Sequence, residues 1–178
     1  MSRVVVLCGS VRKNGNTDLL VQSFVKGASE HNEVEVISVS DYKVNPCIGC
    51  NGCFGREDYS CFQDDDMSKI YEKLKTAEIL VIASPVYFYG ISAQLKAIVD
   101  RLHTPMRNSF GIKKLGLLLV GAATLPNLFD PILLQYQMIL NFFKLEDAGG
   151  VLVRGVKDKG DVLETEGIRK AFELGERI

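Results

Sequence analysis

The stretch "RVVVLCGSVRKNGNT", from Arg3 to Thr17, changes in character at Gly9. Its first half is apolar without alternation, which is typical of a strand buried on both faces of a parallel sheet. Its second half is polar and cationic, and it leads into apolar residues spaced by four, Leu20, Phe24 and Ala28. The stretch therefore predicts a strand, a turn rich in polar groups and then a helix.

The alternation of apolar runs and helical patterns continues along the chain. The predicted strands are residues 3–9, 33–39, 78–84, 115–121 and 149–155, and the predicted helices lie near 20–28, 67–74, 91–102, 130–145 and 164–176. Five strands in β-α order predict an α/β fold with a doubly wound parallel sheet, either flavodoxin-like with the strand order 2-1-3-4-5 or half of a Rossmann fold. We expect a single domain over residues 1–178, because this length is too short for two ordinary domains.

Composition argues against several classes of partner. The formal net charge of −1 gives no field that would attract nucleic acid or an anionic membrane surface. No apolar run approaches the roughly 20 residues that cross a bilayer. The first residues lack the apolar region and cleavage site of a signal peptide, so we expect a cytoplasmic protein with reduced thiols.

The turn "GSVRKNGNT", from Gly9 to Thr17, has the groups needed to bind one phosphate at the start of a helix. Its candidate ligands are Ser10, Arg12, Lys13, Asn14, Asn16 and Thr17. A nucleoside triphosphatase loop needs lysine where Asn16 stands, and a dinucleotide fingerprint needs a glycine before Gly15. The turn therefore suits a phosphate monoester, and the alternative is a polar turn with Thr17 as the helix N-cap.

The segment after the third predicted strand, "SPVYFYG" (84–90), contains three consecutive aromatic residues, Tyr87, Phe88 and Tyr89. They cannot all point into the core, so one or two could border a planar ligand; the alternatives are packing residues or an interface patch. A phosphate site beside a ring site describes a mononucleotide. Flavin mononucleotide (FMN) fits this description.

Four cysteines lie close together in "NPCIGCNGCFGREDYSC": Cys47, Cys50, Cys53 and Cys61, within a cysteine-rich loop at residues 45–63. Gaps of two residues let successive thiolates face one metal centre. A two-cluster ferredoxin is excluded, because its fourth cysteine comes sooner and is followed by proline. An iron–sulfur cluster, structural zinc, metal-free thiols and a disulfide remain, with the disulfide disfavoured in a reducing compartment.

Other features need simpler interpretations. Residues 130–145 are apolar on almost every side, which predicts a helix that packs against another subunit in a homodimer or homotetramer. The run "DDDMSK" (64–69) is interpreted as an acidic helix start, and Cys8 as a core residue. His31 and His103 have no ligand pattern and are interpreted as structural or solvent-facing.

The phosphate turn, "CIGCNGCF", "DDDMSKIYEKLKTAEILVIASPVYFYGISAQLKAIVDR" and "GVKDKGD" together resemble the NADPH-dependent FMN reductase family, and in particular its iron–sulfur flavoprotein branch. The resemblance implies a flavodoxin-like fold with the strand order 2-1-3-4-5, bound FMN, and a dimer or tetramer with the flavin near a subunit interface. It implies hydride transfer from NAD(P)H to FMN and then to a small molecule or a redox protein. The alternatives are a flavodoxin-type electron carrier and a metal-binding interaction protein.

Carried over by position, the resemblance assigns the phosphate to Ser10, Arg12, Asn16 and Thr17. It assigns the flavin ring to Pro85, Val86, Tyr87 and Phe88, with the turn that begins at Gly121 and Ala122 completing the pocket. It implies a four-iron four-sulfur cluster on Cys47, Cys50, Cys53 and Cys61. The family often has a glycine-rich turn where this chain reads "GAATLPNLFDP". No catalytic side chain is expected, because the cofactor carries the hydride chemistry.

Overall fold

The computed structural model describes residues 1–178 and contains five strands and five helices. The strands are β1 (Arg3–Cys8), β2 (Glu33–Ser38), β3 (Ile79–Pro85), β4 (Lys114–Val120) and β5 (Glu146–Val153). The helices are α1 (Asn16–Ala28), α2 (Met67–Thr76), α3 (Ala93–Arg101), α4 (Asp130–Phe143) and α5 (Gly167–Arg177). Every predicted element is present; among the strands the largest difference is that β5 begins three residues earlier than expected, and α1 begins four residues earlier.

The sheet is entirely parallel, in the order β2-β1-β3-β4-β5. This confirms the flavodoxin-like alternative. Cys8 pairs with Ser38 of β2 and with Ala83 of β3, and Pro85 of β3 pairs with Val120 of β4. The carboxyl ends of the four strands therefore lie together at one edge of the sheet, where a doubly wound fold binds its ligands.

Two apolar cores lie on the two faces of the sheet. One contains the inward faces of α2, α3 and α4, and the other those of α1 and α5. The run from Val4 to Leu7 is fully buried between these cores, as its lack of alternation predicts. Cys8 is also buried, which confirms its interpretation as a core residue, and this burial raises the pKa of its thiol.

Helix α4 is apolar on two opposite sides. Ile132, Tyr136 and Leu140 are buried against the sheet. The exposed side consists of Leu134, Met138 and Phe142, which are 66%, 65% and 52% exposed. We call these three residues the α4 stripe. None of the helices has the length and apolarity needed to cross a membrane.

Helix α1, which begins at the phosphate turn, is supported by α5 through a very close backbone approach. A Cβ atom on Gly175 would lie 2.3 Å from the Phe24 carbonyl oxygen and 2.6 Å from the Ala28 nitrogen. A Cβ atom on Gly27 would lie 2.2 Å from the Phe172 carbonyl oxygen. The two helices can therefore meet at this distance only with glycine at the crossing.

We predict that Gly175→Ala lowers the free energy of unfolding by roughly 1–3 kcal/mol, because the added methyl group meets backbone atoms that must move apart. Chemical denaturation measures this change. Gly55→Ala is the matched control, since a Cβ atom there has nothing within 4 Å, and its effect should stay below about 0.5 kcal/mol. Equal stabilities for the two variants would contradict the predicted close packing.

Candidate functional site

The phosphate turn lies at the carboxyl end of β1, next to the residues that follow β2. Ser10 is largely buried, and its hydroxyl oxygen accepts a hydrogen bond from the Arg12 N–H (3.2 Å). The side chains of Arg12 and Lys13 are exposed. A polar depression of about 270 Å³ lies over this turn and extends to Ser40, beyond the end of β2. Cationic and hydroxyl groups therefore surround an accessible space, together with the carboxylates of Asp18 and Asp41.

The start of α1 provides further donors. Its N-cap is Gly15, so the alternative interpretation of Thr17 as the N-cap is wrong. The first backbone hydrogen bond of the helix runs from the Leu19 N–H to the Gly15 carbonyl (2.9 Å). The preceding N–H groups, of Asn16, Thr17 and Asp18, have no backbone acceptor. Such a helix start attracts an anion through these N–H groups and through the helix dipole.

The side chain of Asn16 has a different role from the one the resemblance assigned to it. Its Nδ2 donates to the Asp158 carbonyl (2.9 Å), and its Oδ1 accepts from the N–H groups of Gly160 (3.1 Å) and Val162 (3.2 Å). We call these three contacts the Asn16 bridge. They join the phosphate turn to the "GVKDKGD" segment. Because both polar atoms of the Asn16 side chain are occupied, its backbone N–H is the group that can still bind a ligand.

The aromatic turn, Tyr87 to Gly90, is a two-residue hairpin turn. The Tyr87 N–H donates to the Gly90 carbonyl (2.9 Å), and the Gly90 N–H donates back to the Tyr87 carbonyl (3.1 Å). Phe88 and Tyr89 have φ angles of 48° and 64°, a left-handed conformation that turns of this kind normally give to Asn and Gly. This conformation costs roughly 1–2 kcal/mol per residue, so the turn holds its aromatic residues at the expense of stability.

All three aromatic side chains are exposed, whereas the sequence predicts only that they cannot all point into the core. Tyr87 and Tyr89 are about half exposed, and Phe88 is 98% exposed. Two buried serines form hydrogen bonds at the base of this segment, and neither was among the predicted site residues. Ser84 accepts a hydrogen bond from the Ser92 N–H (3.0 Å), and the Ser92 side chain caps α3. Neither serine lies in a spacing that marks it out.

The turn after β4 lies beside the aromatic segment. The Val86 N–H donates to the Val120 carbonyl (2.8 Å), which brings the end of β3 against Gly121. A Cβ atom on Gly121 would lie 2.5 Å from the Leu128 side chain and 3.6 Å from that of Val86. Ala122 is exposed at the same edge of the sheet.

These three loops all lie at the carboxyl edge of the sheet. One end offers unpaired N–H groups, hydroxyls and cations, and the other offers exposed aromatic rings. The residues present therefore fit a ligand that combines a single phosphate with a planar ring, such as FMN.

Comparison with known proteins agrees with this geometry. Residues 2–129 match the sequence profile of the family described as NADPH-dependent FMN reductase. The chain belongs to that family. It is 42% identical over 124 residues to an iron–sulfur flavoprotein of Methanocaldococcus jannaschii, covering 68% of this chain and 63% of that protein. It is 35% identical over 122 residues to an iron–sulfur flavoprotein of Methanosarcina thermophila, covering 68% of this chain and 61% of that one.

The chain thus spans less than two thirds of the length of either of these family members. Among solved structures, an NAD(P)H:quinone oxidoreductase from Methanothermobacter marburgensis superimposes with a TM-score of 0.77. The alignment covers 98% of both chains at 16% identity. This similarity supports the fold.

The cysteine loop, residues 45–63, connects β2 to α2. Cys47 and Cys50 are exposed, and Cys53 and Cys61 are half-buried. No three Cys, His, Asp or Glu side chains come together as a metal-binding group. The thiols have the donor chemistry of a cluster, but the structure does not bring them around one point, so as placed they do not fit one.

A buried ion pair between Asp65 and Arg101 holds the base of this loop. The two side chains are 1% and 4% exposed. Asp65 also accepts from the Asn45 N–H (2.9 Å), and Arg101 donates to the Asn45 carbonyl (3.2 Å). The Tyr71 hydroxyl donates to the Arg101 carbonyl (2.7 Å), and burial raises the pKa of Tyr71 to about 12.

Both members of the ion pair are held in their charged forms. Burial opposes the charge of Asp65, but hydrogen bonds from Asn45 and Arg101 outweigh it and lower the pKa of the carboxyl group. Burial likewise opposes the charge of Arg101, and Asp65 outweighs it and raises the pKa of the guanidinium group. Asp65 also accepts from the Met67 N–H (3.1 Å), so the acidic run does begin a helix.

His103 is exposed, in agreement with its interpretation as structural or solvent-facing. Its ring centroid lies 6.5 Å from that of Phe54 in the cysteine loop and 5.4 Å from that of Phe142 on α4. Beside it, an apolar groove of about 770 Å³ runs between α3 and α4. The cysteine loop therefore borders this groove.

We predict that Asn16→Ala lowers the free energy of unfolding by about 1–3 kcal/mol, because it leaves the N–H groups of Gly160 and Val162 without an acceptor. Denaturant titration measures the loss. Lys13→Ala removes an exposed side chain from the same turn and should change stability little. An unaltered midpoint for Asn16→Ala would rule out the Asn16 bridge.

We predict that Phe88→Gly leaves the free energy of unfolding unchanged or raises it by up to about 1 kcal/mol, because glycine adopts a positive φ without strain. The same variant should bind FMN about two- to tenfold more weakly, since an exposed ring contributes about 0.5–1.5 kcal/mol to stacking. Flavin fluorescence measures the affinity. The control is Phe62→Gly, which changes an exposed phenylalanine outside the three loops and should leave the affinity for FMN unchanged. Equal losses of affinity in both variants would exclude a specific role for Phe88.

Proposed function

We propose that this chain binds FMN across the phosphate turn, the aromatic turn and the turn after β4, and catalyses electron transfer from NAD(P)H to an acceptor through that flavin. The observation that carries the proposal is that unpaired N–H groups at the start of α1 and an exposed aromatic turn both follow the carboxyl ends of neighbouring strands, β1 and β3. Membership of the family and the fold support it.

In this proposal the phosphate would be held by the N–H groups of Asn16 and Thr17, the Ser10 hydroxyl and the Arg12 guanidinium. Backbone N–H groups at a helix start bind an anion without moving, because the helix fixes them. Arg12 is exposed and can close on the phosphate from the solvent side.

The flavin ring would lie along Pro85, Val86, Tyr87 and Phe88, with Gly121 and Ala122 on its other border. The left-handed conformation of Phe88 keeps its ring out of the core and exposed to a planar ligand. FMN, when bound, supplies the ability to accept a hydride and pass its electrons on. The protein orients the ring and leaves one side open for a nicotinamide.

The test is to titrate the purified chain with FMN and then mix the complex anaerobically with NADPH or NADH in a stopped-flow instrument. We expect one FMN per chain and rapid loss of flavin absorbance with at least one nicotinamide. Binding without reduction would support the flavodoxin-type carrier. Absence of FMN binding would overturn both.

The cysteine loop has no step assigned to it in this proposal. A four-iron four-sulfur cluster would require the loop to close, because no three of its thiols meet in the structure. Iron, sulfide and zinc analysis of anaerobically purified protein identifies the state of the loop. Iron with sulfide would support a cluster, zinc alone would support a structural zinc site, and neither would support metal-free thiols.

We also propose that a second copy of this chain covers the α4 stripe. Its residues are spaced by four along one helix, so two antiparallel copies of α4 can pack their stripes against each other. The groove beside the stripe is bordered by one acidic and one basic residue, Asp100 and Arg107. Across a two-fold axis these charges are complementary, which favours a copy of the same chain.

We predict that the wild-type chain is a dimer or larger in solution, and that the double variant Leu134→Glu, Met138→Glu is a folded monomer. Two carboxylates in the centre of an apolar interface cannot find partners there. Light scattering after size-exclusion chromatography measures the mass. Leu163→Glu changes an exposed leucine outside the groove and should keep the wild-type mass, and a monomeric wild type would contradict the assembly.

A further inference from the structure

Hydrogen bonds join the segments that precede and follow the cysteine loop. The Asn45 N–H donates to the Asp65 carboxylate (2.9 Å), and the Lys43 N–H donates to the Asp66 carboxylate (2.8 Å). The Asp66 N–H donates back to the Lys43 carbonyl (3.0 Å). The chain therefore enters and leaves the loop at a single fixed point.

Arg101, the last residue of α3, fastens this point to the body of the protein. Its guanidinium pairs with Asp65, which ends the loop, and donates to the carbonyl of Asn45, which begins it. Both charged side chains are almost completely buried. One residue of α3 thus holds both ends of the loop.

Between its ends the loop is held only lightly. It contains one short 3-10 helix, Gly52–Gly55. Its hydrogen bonds from side chains are long, from Gln63 to the Pro46 carbonyl (3.3 Å) and from Thr104 to the Tyr59 carbonyl (3.5 Å). The base of the loop therefore has the largest influence on where the cysteines lie.

We propose that Asp65 and Arg101 are positioning residues for the four thiols, and that their buried pair sets the place of the cysteine loop on the helix that follows the aromatic turn. The proposal goes beyond the proposed function, which assigns no step to the cysteine loop. Replacing a buried ion pair with apolar residues often changes stability little, so the geometry that this pair imposes is the better account of its role. A functional group keeps its position only when the contacts around it are fixed.

The test is the alkylation rate of each cysteine, measured by mass spectrometry on the reduced full chain treated with a chelator. In the wild type we expect Cys53 and Cys61 to react at least about tenfold more slowly than the exposed Cys47 and Cys50. In Asp65→Asn and in Arg101→Leu the difference should shrink to within about threefold. Arg101→Lys keeps the positive charge and should therefore keep most of the difference in alkylation rate between the two pairs of cysteines.

Tyr136→Phe is the matched control for a general loss of stability. It removes buried hydrogen bonds to the Leu115 carbonyl (2.5 Å) and to Asp147 (2.7 Å), far along the chain from the cysteine loop. The proposal is wrong if the four rates are unchanged in folded Asp65→Asn, or if Tyr136→Phe equalises them to the same extent.

Two further measurements keep the outcome decisive. If a single variant does not fold, the double variant Asp65→Leu, Arg101→Leu removes both charges and carries the same expectation. Titration of every folded variant with FMN separates the two proposals. A wild type that fails to bind FMN contradicts the proposed function and leaves the alkylation result valid, whereas normal FMN binding with unchanged alkylation contradicts the positioning role alone.

Discussion

The parallel pairing of β1 with β3, in which Cys8 lies opposite Ala83, places the phosphate turn and the aromatic segment on neighbouring strands. Because all five strands run in the same direction, every loop that leaves a carboxyl end reaches the same edge of the sheet. The helices then cover both faces, so this edge is where polar groups can remain accessible without disturbing a core. The position of the proposed flavin site follows from this arrangement.

Buried polar contacts then refine the positions that the sheet provides. The Asn16 bridge holds the phosphate turn from one side, and the ion pair of Asp65 with Arg101 holds the cysteine loop from the other. In each case a side chain satisfies backbone groups of a distant segment that has no regular structure of its own. Loops with few apolar contacts keep a defined shape in this way.

The strands, the helices and the positions of the three loops could be predicted because each depends on a local pattern. The pattern left two sheet orders open, and the family resemblance favoured the one that the structure has. Unbroken apolar runs such as Val4 to Leu7 indicate central strands, and their order places the loops. The Asn16 bridge and the partner of Asp65 could not be predicted, because they join residues 142 and 36 positions apart in the chain. The left-handed conformation of Phe88 could not be predicted either, since aromatic residues seldom adopt that conformation. The spacing of the cysteines indicated candidate metal ligands, but it did not show whether their sulfur atoms come together.

The Asn16 bridge has a consequence for what counts as the cofactor-binding unit. The match to the family profile ends at residue 129, whereas the partners of Asn16 lie at 158–162, beyond the edge strand β5. A fragment cut at the end of the matched region would retain every assigned flavin contact in its sequence. It would nevertheless lose the backbone groups against which the phosphate turn is braced. A fragment that keeps the proposed phosphate turn in the shape seen here therefore has to extend at least through Val162.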